Sequence, residues 1–221
     1  MSNSKLDIAI DYSQTKCQCR AGNIRQNNRI AMIKPIVIAV CALIVLAVAL
    51  YAMHIGSIDK TNPTIVTFAE PMHVIGIEIN TSDREIYKDV GRAAAIFNEA
   101  KSQNPIPNLK HPWERVFISK DYDEGAQTFK YIVGDVVTQC DMIPEGFSYY
   151  EIPAITYAVF TIKPKSRIAW GVTMGRMKRY IYTQWLPQSG YRASEMLNDF
   201  ELHDDRSLGK KPEISLFVAL K

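Results

Sequence analysis

The chain has 221 residues, of which 47% are hydrophobic and 22% are charged, an ordinary composition for a protein that folds around one core. The net charge of +3 is unevenly placed, because residues 1–34 hold six Lys and Arg against two Asp, which leaves 20 basic and 21 acidic groups for residues 35–221. That near-neutral remainder argues against a phosphate-binding surface, and no basic stripe indicates nucleic-acid binding.

The first strong feature along the chain is an uncharged, apolar run from Ile36 to Met53. A helix needs roughly 20 apolar residues to cross a bilayer, and the run lacks the amphipathic pattern of a buried core helix. We therefore expect residues 35–54 to form a transmembrane helix or signal anchor. Residues 1–34 then form a polar, basic N-terminal tail without steady periodicity.

The charges on either side of this run predict its orientation. Four basic residues precede it closely, whereas only Lys60 follows it within a similar distance; the four are Arg20, Arg25, Arg29 and Lys34. By the positive-inside rule, the N-terminus lies in the cytoplasm and the rest of the chain lies on the outer, periplasmic side. We expect a single-pass protein of the inner (cell) membrane.

Two points about the N-terminus stay open. Translation begins either at Met1 or at Met32, which stands just before the apolar run. Ala47-Val48-Ala49 resembles a small-x-small cleavage site, so the segment is either removed or retained. The run continues to Met53, which favours a retained anchor.

The four cysteines predict neither a disulfide within the domain nor a metal site. Only Cys140 lies after the apolar run, and Cys17 and Cys19 in the tail have no histidine pair near them. The sequence contains no glycine-rich phosphate loop, zinc signature or serine–histidine–aspartate arrangement. We therefore expect no cofactor and no metal, and we assign no catalytic residue.

A short, turn-rich linker follows at residues 55–67 and contains Asn62-Pro63. Neither this linker nor the N-terminal tail can hold a helix-turn-helix module, so we do not expect nucleic acid as a partner. Residues 68–221 remain for one globular domain.

The sequence of this domain predicts two consecutive copies of one β-α-β-β unit. The first copy predicts a strand, a helix and two strands at 72–80, 83–102, 113–120 and 129–138. The second copy predicts the same elements at 155–163, 167–186, 199–203 and 213–220.

The two predicted helices also keep the same register. Their apolar stripes match residue by residue at one constant offset along the chain, and consist of Ile86, Val90, Ala93 and Phe97 in one helix and Trp170, Met174, Met177 and Ile181 in the other. Two such units can lay their helices on one continuous antiparallel sheet. The sequence therefore predicts an α+β fold, a tandem β-α-β-β repeat with two helices on one face of the sheet and a ligand cleft on the other, preceded by one N-terminal transmembrane helix.

Several stretches are similar to a known family. Residues 181–191, IYTQWLPQSGY, with residues 199–204, DFELHD, resemble the end of GyrI-like domains, the effector-binding domains of bacterial transcription activators. Residues 74–77, VIGI, and 129–134, FKYIVG, agree with the first half. The resemblance covers residues 68–221 and implies a pseudo-twofold tandem repeat that binds a small, often cationic and aromatic molecule between its halves.

The resemblance assigns a role to Glu201, which matches a buried glutamate that meets the positive charge of the ligand. Strand alternation puts Phe200 and Leu202 on one face of their strand and Glu201 on the other. If those two residues pack under the helices, Glu201 projects into the cleft. The alternative is that Glu201 lies on a solvated face beside Asp199 and His203.

Further residues are candidates for lining the same cleft. They are Phe117 and Tyr131 on the first-half hairpin, Phe217 on the last strand, Trp113 and Tyr182. Arg176, Lys178 and Arg179 form a basic patch that predicts a solvated helix face or a contact with anionic lipid.

The sequence thus favours a membrane-anchored domain that binds small cationic or amphipathic aromatic molecules, as a sensor or a sequestering module. One alternative is a hydrolase of reactive small molecules that uses the cleft glutamate. Its nearest partner, His203, is expected about 6–7 Å along the strand, too far for direct contact unless the side chains lean together. Another alternative is a protein-interaction module with an unidentified partner, as in stand-alone family members that inhibit topoisomerase.

Overall fold

The computed structural model describes residues 35–54, 57–165 and 169–221. It contains two compact units that divide between Met53 and His54. Among the described residues, one helix, α1 at Pro35–His54, is long and apolar enough to cross a membrane, with a mean hydropathy of 3.0. The predicted basic tail, including Met32, Cys17 and Cys19, lies outside the described residues.

The second unit is built on one antiparallel sheet of eight strands. The strands are β1 Thr64–Thr67, β2 Met72–Ser82, β3 Arg115–Asp123, β4 Thr128–Val137, β5 Ser148–Ile152, β6 Thr156–Ile162, β7 Asp199–His203 and β8 Ile214–Leu220. Their order across the sheet is β1-β6-β8-β7-β3-β4-β2-β5.

The helices of this unit connect the strands of each half. They are α2 Ile86–Gln103, α3 Trp170–Tyr180, a π-helical turn Ile181–Trp185, α4 Leu186–Ser189 and a 3₁₀ turn Asp205–Leu208. The sequence predicted one helix over 167–186. In the structure α3 ends at Tyr180, and the chain continues as the π-helical turn Ile181–Trp185. Pro187 lies in the first turn of α4 and Gly190, with φ 79°, ends it.

The internal repeat and the α+β class are confirmed. The offset that relates the two apolar stripes also relates the first residues of β2 and β6, of α2 and α3, and of β3 and β7. The halves meet where β3 pairs with β7, and there Phe117 lies directly opposite Glu201, its own counterpart in the second copy. This register places an approximate twofold axis at the Phe117–Glu201 pair.

Two edge strands extend the repeat beyond the prediction. β1 pairs with β6 and β5 pairs with β2, so each copy contributes an edge strand to the other half. Residues 64–67 were predicted as part of the linker, because four exposed residues show no alternation of apolar and polar side chains. The domain therefore begins earlier than residue 68.

The sheet is packed on both faces. On one face, one apolar cluster lies under α2 around Phe97 and another lies under α3 around Met177. On the other face, a third cluster contains Phe200, Phe217 and Tyr157, with Phe68 packed against it. The prediction of a ligand cleft on the face away from the helices is therefore wrong, because buried side chains of the strands pack together over that face, with Phe68 against them.

Candidate functional site

The candidate site lies at the centre of the sheet, on the face that carries the helices. Phe117 on β3 belongs to the cluster under α2, and its register partner Glu201 on β7 shares that face. Because side chains alternate along a strand, Asp199 and His203 point the same way as Glu201. Glu201 is only 8% exposed, and Asp199 is 3% exposed. Two carboxylates are therefore buried side by side between the halves.

The two faces of β7 are the reverse of those predicted: Phe200 and Leu202 lie away from the helices, and Glu201 lies towards them. Phe200 stacks on Phe217, with ring centroids 4.4 Å apart and planes at 7°, in the cluster away from the helices. Leu202 packs against the same cluster. Glu201 still lies on the opposite side from Phe200 and Leu202, as strand alternation requires, but that side faces α3. The alternative of a solvated face is excluded by its burial.

Lys178 of α3 is the cation of this site. Its Nζ lies 2.8 Å from Asp199 Oδ1 and 3.3 Å from Glu201 Oε1, and it donates to Ser119 Oγ at 3.3 Å. The side chain is 24% exposed, so the prediction that it belongs to a solvated basic patch is wrong. The cluster thus sets one ammonium against two buried carboxylates.

Burial and neighbouring charges have opposite effects on the pKa of Glu201 and on that of Lys178. Burial alone would raise the pKa of Glu201, but the Lys178 ammonium and the His203 hydrogen bond outweigh it and hold this pKa below its ordinary value. Burial alone would lower the pKa of Lys178, but Asp199 and Glu201 outweigh it and raise this pKa. At neutral pH both groups are therefore charged.

His203 contacts Glu201 directly. Its Nε2 lies 3.3 Å from Glu201 Oε2, so the two side chains lean together, which is the condition under which direct contact was expected. The imidazole is held between Phe117, with ring centroids 4.6 Å apart, and Trp170, whose ring stands perpendicular at 5.8 Å. Both carboxylate oxygens of Glu201 thus have partners, and one of these partners, His203, contacts two aromatic rings.

Two predicted tyrosines belong to the same cluster. Tyr131 is buried with its ring centroid 6.1 Å from that of Phe117, and burial together with the charges of Glu201 and Asp199 raises its pKa well above the ordinary value. Tyr182, in the π turn, donates from its hydroxyl to Asp199 Oδ2 at 2.9 Å. Tyr182 therefore orients the second carboxylate, that of Asp199.

The other two aromatic candidates lie elsewhere. Phe217 is buried in the cluster on the opposite face of the sheet, because strand β8 presents it beside Phe200. Trp113 precedes β3, is 47% exposed and stacks on His111 with ring centroids 5.4 Å apart. The structure brings together Glu201, Phe117, Tyr131 and Tyr182, and leaves Phe217 and Trp113 outside.

Lys178 was not among the predicted site residues, although its position in the sequence carries a signal. It lies four residues after Met174, and so on the apolar stripe of its helix. A lone charged residue on a buried stripe requires a buried partner of opposite charge. Asp199 and His203 carried a similar signal, since each is two residues from Glu201 on the same strand face.

The two helices meet above this face through Tyr87 of α2. Its ring lies against Gly171 and Gly175, which follow each other by one turn on α3, and a Cβ added at Gly175 would lie 2.1 Å from the Tyr87 hydroxyl oxygen. The absence of side chains at these two positions lets the helices approach. The ring of Tyr87 therefore links α2 to α3.

An open groove of about 580 Å³ lies apart from Glu201, at the end of β2 and the start of α2. Its lining includes Asp89, Asp121, Asp123, Phe129 and Lys130, and it contains none of the predicted site residues. Within the described ranges, no group of three or more His, Cys, Asp and Glu side chains is arranged to hold a metal ion.

The buried Glu201–Lys178 pair should give the stability of the domain a specific pH dependence. Because the folded-state pKa of Glu201 is lowered from 4.5, its contribution is present at neutral pH and is lost as the pH falls below about 4.5. Because the folded-state pKa of Lys178 is raised from 10.5, its contribution is present below pH 10.5 and is lost as the pH rises through the folded-state value. Urea unfolding of wild type and Glu201→Gln should show a difference in unfolding free energy at neutral pH that shrinks in acid. The control is Glu99→Gln at the surface of α2, and an equal acid dependence there would contradict the assignment.

Comparison with known proteins gives one family and several structural relatives. The profile of a family described as integron-associated effector binding protein matches residues 64–220. No curated protein matches the chain significantly.

Three solved structures share the fold. An integron cassette protein from the mobile metagenome of Vibrio cholerae has a TM-score of 0.51 at 11% identity, over 73% of this chain and 97% of its own. SAV2435 bound to tetraphenylphosphonium has a TM-score of 0.54 at 13% identity, over 73% and 94%. The C-terminal domain of EcmrR has a TM-score of 0.52 at 14% identity, over 74% and 99%. At these identities the likeness shows the fold alone.

Proposed function

This chain belongs to the family of integron-associated effector binding proteins, and from that premise we propose that its domain binds a small molecule that carries a positive charge and aromatic rings. The ligand binds on the helix face of the sheet, between α2 and α3, with its charge at Glu201. The resemblance to effector-binding domains is confirmed by the family match over residues 64–220.

The observation that carries this proposal is the buried carboxylate at the approximate twofold axis. Glu201 is 8% exposed and shares one lysine with Asp199, so the cluster has an excess of negative charge when His203 is neutral. Phe117 and Tyr131 lie beside it on the sheet, and Trp170 stands over His203. Each ring that faces a bound cation adds an attraction of about 0.5–2 kcal/mol.

A structural relative supports the charge and shape of the ligand. SAV2435, which shares the fold, is bound to tetraphenylphosphonium, a cation surrounded by four phenyl rings. A buried carboxylate among aromatic side chains suits such a molecule. Because Glu201 is 8% exposed, side chains must move when a ligand enters.

The direct test is calorimetric titration of the purified full-length chain, in detergent, with tetraphenylphosphonium. The matched control is tetraphenylborate, an anion of nearly the same shape. We expect saturable binding of the cation and none of the anion. Cation at 100 times its dissociation constant should also stabilise the fold by about 2.7 kcal/mol. No binding of the cation, or equal binding of both ions, would contradict the proposal.

We further propose that helix α1 anchors the domain to the membrane, where the domain acts as a sensor or as a sequestering module. The support is the length and apolar character of Pro35–His54 and the excess of basic residues before it. The full-length protein should sediment with membranes and resist carbonate extraction, whereas a chain that begins at residue 57 should be soluble. Recovery of the full-length product in the soluble fraction would contradict the anchor.

We propose that the N-terminus lies in the cytoplasm and the domain on the outer side of the membrane. Reporters fused after Lys221 test this orientation. A reporter that is active only after export should give signal, and one that is active only in the cytoplasm should not. The reverse result would place the domain on the cytoplasmic side.

A hydrolytic activity is the second candidate, because His203 Nε2 lies 3.3 Å from Glu201 Oε2. Such a pair can hold and move a proton next to a bound substrate. The lowered pKa of Glu201 makes it a weak base, so we favour binding over turnover. Chromogenic esters and epoxides incubated with wild type and Glu201→Gln decide this, since turnover that depends on Glu201 would establish the enzyme.

A further inference from the structure

We propose, on the basis of the proposed cation site at Glu201, that Lys178 is an internal competitor for the ligand. In the structure its ammonium lies at Glu201, where the positive charge of the ligand would bind. Binding therefore exchanges one cation for another, and Lys178 sets which cations succeed.

The contacts of Glu201 show why an exchange is required. Lys178 lies 3.3 Å from Oε1 and His203 lies 3.3 Å from Oε2, so both oxygens have partners. The imidazole of His203 is held between the rings of Phe117 and Trp170. The lysine is the partner that can leave, since its flexible four-carbon stem can turn away while the backbone stays in place.

Asp199 makes the exchange feasible. Its Oδ1 lies 2.8 Å from Lys178 Nζ, closer than Glu201 does. When the ligand takes Glu201, the ammonium turns outward along α3 towards solvent and keeps Asp199 as its one carboxylate partner. With both cations present, two carboxylates face two positive charges, so the bound state contains no uncompensated charge among these four groups.

The consequence is selectivity for large aromatic cations over small hydrated ones. A simple alkylammonium ion offers Glu201 no more than Lys178 already does, and Lys178 has the advantage of being tethered. A cation with several rings adds contacts with Phe117, Tyr131 and Trp170 that the lysine cannot make. Ligands that lack such rings should therefore fail to displace it.

The first test is Lys178→Met, which keeps most of the side-chain volume and removes the charge. The full-length variant should bind tetraphenylphosphonium at least tenfold more tightly than wild type, and its preference over methylammonium should fall. The matched control is Arg179→Met, the same change of net charge at the next residue of α3, whose side chain is exposed. Arg179→Met should leave affinity unchanged. The double variant Lys178→Met with Glu201→Gln should lose the gain in affinity that Lys178→Met shows alone.

The outcomes separate the two proposals. If wild type binds the cation and Lys178→Met binds it equally or more weakly, Lys178 is not a competitor, while the cation site stands. An equal gain in Arg179→Met would mean that only net charge matters, which also overturns the role of Lys178. If neither wild type nor Lys178→Met binds the cation, the cation site fails and the exchange fails with it.

A second measurement uses the wild-type protein and does not depend on how a variant folds. Reductive methylation of lysines, followed by peptide mass spectrometry, reports how accessible each amine is. Lys178 should react faster when tetraphenylphosphonium saturates the protein, because it is released from Glu201. Lys88, whose side chain is 79% exposed, is the internal control and should not change. Unchanged or slower modification of Lys178 under saturation would overturn the exchange.

Discussion

Glu201→Gln is expected to weaken the binding of tetraphenylphosphonium by about 2–5 kcal/mol, which is roughly 30-fold to several thousand-fold in dissociation constant. The substitution keeps the shape of the side chain and removes the charge that the cation meets. The loss is large because Glu201 is 8% exposed, so water does not screen the pair or replace the missing carboxylate. Titration calorimetry of wild type and variant side by side measures the difference.

Two controls define the meaning of that result. Glu151→Gln makes the same charge change on edge strand β5, where the side chain is exposed, and should leave affinity unchanged. A neutral ligand of similar shape, such as triphenylphosphine oxide, should bind wild type and Glu201→Gln alike. Equal losses for the cation and the neutral ligand, or none for either, would show that Glu201 does not recognise charge.

Glu201→Gln should also lower the stability of the free domain. The glutamate is paired with Lys178, so the substitution leaves a buried ammonium with Asp199 as its remaining carboxylate partner among the described contacts. Weakening one partner of a buried hydrogen-bonded pair costs about 1–3 kcal/mol. Binding must therefore be compared at a temperature where thermal melting shows both proteins to be folded.

Gly76→Ala is expected to destabilise the domain by about 3 kcal/mol. Gly76 on β2 pairs directly with Gly134 on β4. A Cβ added to Gly76 would lie 2.4 Å from the carbonyl oxygen of Val133 and 2.8 Å from the Cα of Gly134. Both neighbours are backbone atoms in the sheet, so they cannot rotate away as a side chain would. The change therefore forces the two strands apart.

Gly91→Ala provides the matched control for this substitution. Gly91 lies inside α2, where an added Cβ meets no atom within 4 Å beyond the backbone of its own helix and its chain neighbours. The same glycine-to-alanine change should therefore stabilise the domain by about 0.5–1 kcal/mol, because alanine favours the helix. Urea unfolding followed by tryptophan fluorescence measures both variants. A Gly76→Ala protein as stable as wild type would contradict the close approach of β2 and β4.

Local pattern determined most of the secondary structure. The apolar stripes of the two helices and the order of their flanking strands depend only on the spacing of side chains along the chain, so the repeat was readable from the sequence. The edge strands β1 and β5 were not, because each pairs with a strand of the other half and carries little periodicity of its own. The interruption of the second helix by a π turn at Ile181 was also missed.

The sequence by itself also determined that Glu201 is opposite in direction to Phe200 and Leu202, since alternation along a strand fixes which residues share a face. Only the tertiary structure decided which of the two faces the helices cover. Apolar residues at every second position of β7 suit a core on either side of the sheet, and here Phe200 and Phe217 pack on the side away from the helices. Because the helices cover the face that carries Glu201, Lys178 of α3 contacts it. No local sequence pattern specifies this contact.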